Sequence, residues 1–334
     1  MTSLTSAGAG DDLKIWLTKR TRWRGAEIVF WLACLLPYAL TPDYLQLASQ
    51  IAISALFALS LDLLLGYAGV LSLGHAAFFG LGAYTAGLLA AHGWGEPLTG
   101  LAAAGLVAGV CGFLASLIVV RFRGLALIMI TLGLAQMLAS AANSVSWLTG
   151  GADGLQGVDV KPLFGVFSFD LWGRTAYAYS LAVLFLVFLL VRRITNSPFG
   201  LSLRGIRENG VRMAALGAPN QAHLRKTFTI AAGIAGLAGA LLTQTTETVS
   251  LQTLGFQKSA DVLVMLVLGG VGRLYGGLVG AIIYMIARDQ FSDMNPEYWF
   301  FWIGLMLIGV VVFLPGGILG GLSLLTRSWK RRAP

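Results

Sequence analysis

Residues 45–65 read LQLASQIAISALFALSLDLLL, and Asp62 is the only charged side chain in this run. A helix that crosses the hydrocarbon core of a membrane needs about 20 mostly apolar residues. Lipid offers no partners to backbone polar groups, so such a run must form a helix or belong to a closed barrel. The apolar residues are nearly continuous instead of alternating, which favours the helix. We therefore predict an all-α, polytopic transmembrane helical bundle.

The composition of the whole chain agrees with this prediction. Of the 334 residues, 57% are hydrophobic and only 11% are charged, whereas soluble domains carry about a quarter charged residues. Apolar windows follow one another nearly from end to end and leave no room for a soluble domain. The net charge of +8 does not indicate a nucleic-acid partner, because the basic residues lie beside apolar windows, where they act as topology signals.

The apolar windows and the breaks between them predict about ten spans, with both termini cytoplasmic. Basic clusters then fall on one side of the membrane, as the positive-inside rule requires. The chain divides into a cytoplasmic N-terminal segment (1–25), a transmembrane domain (26–315) and a cytoplasmic basic tail (316–334). The first span is expected to be uncleaved. The predicted windows are 27–40, 45–65, 76–91, 98–120, 125–147, 176–191, 228–243, two short helices within 260–287, and 298–314.

Two glycine-rich breaks interrupt these windows. The first, GYAGVLSLGH at 66–75, is either a helix that unwinds at membrane depth and exposes carbonyls to a solute path or a tight cytoplasmic turn with His75 at an interface. The second, at 269–277, could belong to the same path or form a packing face, since it contains glycines at a four-residue spacing. Paired breaks are typical of a transport pathway. The residues predicted to lie along it are Asp62, Gly66, Tyr67, Gly69, Ser72, Gly74, His75, Gly269, Gly270 and Gly272.

Three acidic residues lie in or near the spans. Asp62 is well inside an apolar run, and intramembrane acids are functional candidates because they are costly to bury. Glu247 and Asp261 fit an interfacial position better. The span at 228–243 leads out to Glu247 and Lys258, which are therefore expected on the outer side.

The longest polar stretch, residues 192–226, is rich in arginine and is expected in the cytoplasm. Ser197 and Pro198 form a good helix start, with the serine as N-cap and the proline at the first helical position. The Asn-Gly pair at 209–210 is expected to divide the stretch into two short helices, and Gly217 to end the second. Such an amphipathic pair fits either a groove on a partner protein or anionic lipid headgroups.

The sequence contains no set of residues with catalytic or metal-binding spacing. Its three histidines are far apart and lack the spacing of a zinc helix. It has neither a G-x-x-x-x-G-K-[ST] phosphate loop nor a G-x-S-x-G nucleophile elbow. Cys34 and Cys111 fall inside apolar windows, so a disulfide is not expected. We therefore predict that the chain is not an enzyme, binds no metal or cofactor of its own and does not hydrolyse ATP.

Four stretches resemble the permease family of ABC importers for branched-chain and other hydrophobic amino acids, which also has urea and amide relatives. They are LLLGYAGVLSLGHAAFFGLGAY (63–84), LTGGADGL (148–155), SPFGLSLRGIRENGVRMAALGA (197–218) and VLGGVGRLYGGLVGA (267–281). They occur in the family's order and extend over most of the chain.

This resemblance implies a permease subunit in the plasma (inner) membrane of a prokaryote, surrounded by membrane lipid. It implies a heterodimer with a second homologous permease subunit, two cytoplasmic ATP-binding subunits that carry the ATP and Mg, and an extracytoplasmic solute-binding protein. The segment 192–226 would couple ATP hydrolysis to alternating access. The implied coupling residues are Pro198, Arg204, Arg207, Glu208, Ala214 and Gly217, and the implied binding-protein face is Thr149, Gly150, Gly151 and Asp153.

Other functions remain open at this point. An ion-gradient-driven secondary transporter would use Asp62 and the two breaks as its site. A membrane-embedded enzyme would need a polar cluster that the sequence does not show, and a purely structural subunit would not need paired breaks. The family commonly carries an amide residue where this chain has Asp62, so a substrate preference does not transfer simply. Branched-chain amino acids, other amino acids, urea and amides all remain possible solutes.

Overall fold

The computed structural model describes residues 25–40, 42–165, 167–170, 172–314 and 316–321. The predicted N-terminal segment, apart from Gly25, and most of the predicted basic tail lie outside these residues. The described part is helical throughout, and its extended pairing is limited to two isolated bridges. The helices are α1 (Gly25–Ala33), α2 (Leu36–Leu40), α3 (Leu45–Asp62), α4 (Ala76–Ala91), α5 (Pro97–Val119), α6 (Leu125–Ser144), α7 (Ser146–Thr149), α8 (Arg174–Thr195), α9 (Pro198–Ala215), α10 (Asn220–Thr246), α11 (Phe256–Gly269), α12 (Gly276–Met294) and α13 (Trp299–Phe313).

Most predicted windows coincide with these helices. The third window, 76–91, has the bounds of α4, and the predicted starts at 45 and 125 are the first residues of α3 and α6. The window at 228–243 is extended by the structure, because α10 begins at Asn220. Residues 220–226, assigned to the polar segment, therefore form the first turns of that long helix.

The prediction of about ten spans is not confirmed. Within the described ranges, six stretches are long and apolar enough to cross a membrane: α3 with its continuation to Tyr67, α5, α6, α8, α10 and a last one that begins at Trp299. Helix α4 and the segment Gly25–Tyr38 are apolar but shorter. Helix α11 has only 14 residues, and α12 carries Arg288, Asp289 and Asp293 near its end.

The centre of the bundle is α10, which packs between α4 and α5. Glycines bring these backbones together: a Cβ at Gly236 would lie 2.7 Å from the Ala104 carbonyl oxygen. A Cβ at Gly239 would overlap the carbonyl of Phe79 on the opposite helix. Small residues permit this approach in membranes, where helix association depends on close van der Waals packing.

A second layer is formed by α3, which contacts α8, α10, α11 and α12. Helix α1 joins this layer through an ion pair between Glu27 and Arg192, whose Oε2 and Nη2 atoms are 2.9 Å apart. The indole of Trp31 also packs edge-on against the ring of Phe188, with centroids 5.1 Å apart. By contrast, α6 and α13 leave most of their apolar residues exposed in this single chain. These two helices therefore present their surfaces to lipid or to another subunit.

Candidate functional site

The first glycine break begins with a change of helix type. Helix α3 continues into a π-helical turn, Leu63–Tyr67. Such turns are rare in proteins, and those that occur are often found at functional sites. The backbone is then irregular until α4 begins at Ala76, whose N–H donates to Ser259 Oγ at 2.9 Å. The break therefore leaves α4 starting inside the bundle, next to the first turn of α11.

His75 is fully buried at this break. Its Nε2 lies 2.8 Å from Ser60 Oγ, and its ring stacks on Phe57 at a centroid distance of 5.5 Å. His75 is therefore buried among side chains of the bundle, and its position relative to a membrane interface stays a prediction. Burial follows from the neighbours on α3, which supply both a polar partner for the imidazole and an aromatic surface.

The second break meets the first through Asp62. Helix α11 ends at Gly269, and the irregular residues before α12 bring the Gly272 N–H to Asp62 Oδ1 at 2.7 Å. Asp62 is only 1% exposed. A Cβ at Gly66 would lie 2.5 Å from the Gly272 nitrogen and would overlap the Asp62 carboxylate. Glycine at 66 is therefore needed for the two breaks to touch.

Part of the second break forms a helix-packing face, which is the other interpretation of its glycine spacing. Gly276 and Gly280 lie in α12, where side chains would overlap the carbonyls of Gly270 and Met265 on the α11 side. Gly272 lies before α12 begins and takes no part in that helix face. The four-residue spacing thus combines Gly272, which contacts Asp62, with two glycines that serve helix packing.

The arginine-rich segment has the structure that its sequence predicts. Ser197 Oγ accepts from the Gly200 N–H at 3.4 Å and caps α9. The helix is interrupted at Asn209, whose φ of −154° and ψ of 91° are not helical. Asn209 Oδ1 accepts from the Arg212 N–H at 2.9 Å and so caps the second half. Gly217 has a φ of 82° and follows the end of the helix.

Helix α9 lies directly against the first break. Arg207 Nη1 donates a hydrogen bond to the Gly66 carbonyl oxygen, and the guanidinium carbon of Arg204 lies 5.0 Å from the ring centroid of Tyr67. Gly69, with a φ of 73°, leaves room for Arg207, because a Cβ there would come within 2.9 Å of Arg207 Cγ. We call the contact region formed by the two breaks and α9 the junction.

The predicted pathway residues include the central residues of the junction. Asp62, Gly66 and Gly272 form its centre, and the positive charges of Arg204 and Arg207 act on the Asp62 carboxylate. Gly74 packs on the backbone of Thr131 in α6. The other predicted residues belong to the same two breaks: Tyr67, Gly69, Ser72 and His75 lie in the first, and Gly269 and Gly270 in the second. The Gly66 carbonyl binds Arg207, so in this structure it does not face an open solute path.

The second half of α9 and the residues after it are exposed and partly apolar. Val211 and Leu216 are 74% and 75% exposed, although apolar side chains of this size are usually buried. The remaining predicted coupling residues on this surface, Pro198, Glu208, Ala214 and Gly217, are also exposed. We call this region the α9 outer surface. Beside α9, a cleft of about 470 Å³ lies between the first break, residues 120–124 and residues 206–211.

The predicted binding-protein face lies in the link between α6 and α8. Thr149 is buried and donates from Oγ1 to the Val145 carbonyl at 2.9 Å, and Gly151 is also buried. Gly150 adopts a left-handed φ of 78°, and Asp153 is exposed. The main chain then pairs with Val249 through the Leu155 N–H at 2.8 Å. Of the four predicted residues, Asp153 has an exposed charged side chain, and the glycines and Thr149 shape the turn.

Sequence reasoning missed the environment of Lys258. The sequence predicts only that Lys258 lies on the outer side of the membrane, whereas in the structure its ammonium lies 5.4 Å from the ring centroid of Phe79 near the start of α4. Three residues further along α11, Asp261 Oδ1 accepts from Tyr284 Oη at 2.9 Å. The signal available in the sequence was an opposite-charge pair at i, i+3 beside an apolar window, since such residues are neighbours on a helix.

In the part of the chain that the structure describes, no group of three or more His, Cys, Asp and Glu residues could hold a metal.

Comparison with known proteins gives consistent matches. Residues 44–311 match the family described as branched-chain amino acid transport system / permease component. The chain is similar to the high-affinity branched-chain amino acid transport system permease protein LivM of Salmonella typhimurium, with 30% identity over 306 residues, 85% of this chain and 71% of that protein.

Further matches come from Escherichia coli. The LivM protein of that organism is 29% identical over 310 residues, which cover 86% of this chain and 72% of LivM. The permease protein LivH of the same high-affinity branched-chain system is 31% identical over 128 residues, 38% of this chain and 41% of LivH. No solved structure gives a significant match.

Proposed function

The chain belongs to the branched-chain amino acid transport permease family, and from this premise we propose that it forms half of the translocation pathway of an ATP-driven importer. Its relatives are transport permeases and its helices are of membrane-spanning length, so the chain is an integral protein of the prokaryotic plasma (inner) membrane. The proposed solutes are branched-chain amino acids, because the matched relatives are named for them.

The proposed partners follow from the same premise. The chain resembles both LivM and LivH of one organism, which supports a heterodimer of two related permease subunits. ATP and Mg would be bound by two separate cytoplasmic subunits, because this chain has no phosphate-binding loop. An extracytoplasmic solute-binding protein would dock beside Asp153.

The observation that carries the proposal is the contact of α9 with both breaks. Arg207 binds the Gly66 carbonyl from one side, and Asp62 joins the same turn to Gly272. A displacement of α9 would therefore act on α3, α11 and α12 together. A ligand shifts a conformational equilibrium only through different interactions with the two states. Closure of the ATP-binding subunits on the α9 outer surface would provide this difference.

Two substitutions separate docking from transmission. Leu216→Asp puts a charge on the α9 outer surface and should reduce recovery of the ATP-binding subunits with the purified permease pair. Arg207→Ala removes the bond to Gly66 and should leave that recovery intact, while uptake and solute-stimulated ATP hydrolysis fall together. Arg121→Ala, an exposed arginine between α5 and α6, is the matched control.

The expected loss for Arg207→Ala is about tenfold in uptake rate, because a hydrogen bond to a charged group contributes about 1.5–3 kcal/mol. Uptake at the rate of the unmodified protein would overturn the transmission role of Arg207. Failure of the unmodified chain to copurify with any ATP-binding subunit would overturn the importer assignment itself.

A further inference from the structure

Lys258 and Asp261 lie one turn apart near the start of α11, beside α4 and α12. Gly269 belongs to the junction, and Lys258 lies about 16 Å from it along α11, at 1.5 Å per residue. On α3, the distance from Asp62 to the outer end at Leu45 is about 25 Å. Lys258 also lies beside Phe79 in the first turn of α4, and its neighbour Ser259 binds the Ala76 N–H. The pair therefore packs against α4 and α12 within the helical bundle.

The ammonium of Lys258 makes no direct ion pair, although the charge of Asp261 acts on it. It makes no hydrogen bond or ion pair with the residues that the structure describes, and its closest recorded partner is the face of the Phe79 ring. The side chain is half-buried, so it reaches the surface of this single chain. A charged side chain that faces lipid is costly, and ionisable residues in membrane spans mark substrate paths. Lys258 therefore belongs on a surface that faces another subunit or the solute.

Asp261 is held in place by hydrogen bonds to one of its carboxylate oxygens, and the other oxygen accepts none within the described residues. Tyr284 Oη and Gln257 Nε2 both donate to Oδ1, at 2.9 and 3.2 Å. Oδ2 has no hydrogen bond within the described ranges. The nearby Arg288 lies over the ring of Trp299 at 5.1 Å and adds positive charge on the α12 side. The carboxylate is thus oriented by neutral donors and can still accept from a ligand.

The two charges match the head group of an α-amino acid. Residues at i and i+3 are neighbours on one face of a helix, so the adjacent carboxylate and ammonium of a zwitterion can contact both side chains at once. Building on the proposed function, we propose that Lys258 binds the α-carboxylate and Asp261 the α-ammonium of the transported amino acid. The aliphatic side chain of the solute then lies against the apolar surface that surrounds the pair.

This site would select for a zwitterion. Charge-assisted hydrogen bonds are roughly twice as strong as neutral ones, and a neutral amide offers no carboxylate to Lys258. A solute that lacks either charge would leave Lys258 or Asp261 desolvated without a partner, which costs free energy. The pair thus favours free amino acids over urea and amides.

The test uses the complete importer in proteoliposomes and measures the uptake of labelled leucine. Lys258→Met keeps the length and apolar contacts of the side chain but removes the charge, and Lys258→Arg keeps the charge. The uptake rate should fall by about tenfold or more in Lys258→Met, because a loss of 1.4 kcal/mol corresponds to a factor of ten. Lys258→Arg should stay within about threefold of the unmodified protein, and Asp261→Asn should resemble Lys258→Met.

Controls distinguish solute recognition from damage to the complex. Lys161→Met and Asp293→Asn remove one charge each at exposed positions and should leave uptake unchanged. Stimulation of ATP hydrolysis by the solute-loaded binding protein should persist in Lys258→Met, since docking and coupling do not involve this pair.

The outcomes separate this inference from the proposed function. Uptake in Lys258→Met and Asp261→Asn at the unmodified rate would overturn the assignment, and so would a loss in Lys258→Met that Lys258→Arg fails to prevent. If the unmodified importer itself shows no ATP-dependent leucine uptake, the proposed function fails instead.

Discussion

Replacing Asp62 by asparagine tests whether this buried acid serves structure or proton coupling. In the structure its Oδ1 accepts from the Gly272 N–H at 2.7 Å, and Oδ2 is buried without a partner in the described ranges. Asparagine retains an oxygen that can accept the same bond. An alanine does not, so Asp62→Ala leaves the Gly272 N–H without its partner.

The magnitudes favour tolerance of the amide. A hydrogen bond to a charged acceptor contributes about 1.5–3 kcal/mol and one to a neutral acceptor about 0.5–1.5 kcal/mol, so the bond weakens by about 1 kcal/mol. The substitution also removes the cost of burying a carboxylate, which is several kcal/mol for an ion out of water. Asp62→Asn should therefore be at least nearly as stable as the unmodified protein. Asp62→Ala should lose about 2 kcal/mol or more through the unpaired donor and the cavity.

Uptake of labelled leucine and residual complex after heating measure these effects. Asp62→Asn should support uptake close to that of the unmodified importer, and Asp62→Ala should be impaired in both assays. Asp293→Asn, at an exposed acid, is the control for charge alone. An asparagine cannot carry a proton, so complete loss of uptake in a well-folded Asp62→Asn importer would refute the structural role and favour gradient-driven transport.

Two further substitutions test the packing of the junction and of α1. Gly66→Ala should destabilise the complex by about 1–3 kcal/mol through overpacking against Asp62. Gly304 has open space around it, so Gly304→Ala should not destabilise the complex. Equal heat stability of the two variants would contradict the close approach of the two breaks. Glu27→Gln should cost about 1–3 kcal/mol, because it removes a charge-assisted contact with the largely buried guanidinium of Arg192, and an unchanged heat-inactivation temperature would show that the ion pair contributes nothing.

Much of the helical architecture could be predicted from the sequence. Continuous apolar runs in α3, α5 and α6 can satisfy their backbone groups in lipid only as helices, so their existence and approximate bounds follow from hydropathy. The N-cap at Ser197 and the interruption at Asn209 were also predictable, because capping and chain breaks depend on residues within one turn.

The number of spans could not be predicted in the same way. Short apolar helices such as α4 and α11 look like complete spans when hydropathy alone is counted. In the structure α4 begins inside the bundle, where Ser259 of α11 binds its first N–H. A helix end can lie at such a depth only if another element satisfies it, and hydropathy does not report which element that is.

The candidate site shows the same division between local and long-range information. Both glycine breaks, Asp62 and the arginines of α9 are visible in the sequence as unusual residues in their windows. Their contacts are not, since Asp62 and Gly272 are separated by 210 positions, and Gly66 and Arg207 by 141. The sequence therefore indicated which residues are unusual in their windows and are candidates for a function. It did not indicate which residues they contact.

The sequence by itself determined that the chain is a helical membrane protein, because lipid solvation and local capping act on each segment separately, and its matching stretches determined the permease family. Tertiary structure decided that α9 binds the first break, that Asp62 joins the two breaks, and that Lys258 lies beside Phe79 within the bundle. These facts depend on which helices pack together, and glycine-mediated approaches among uniformly apolar helices leave little periodic signal from which that packing could be predicted.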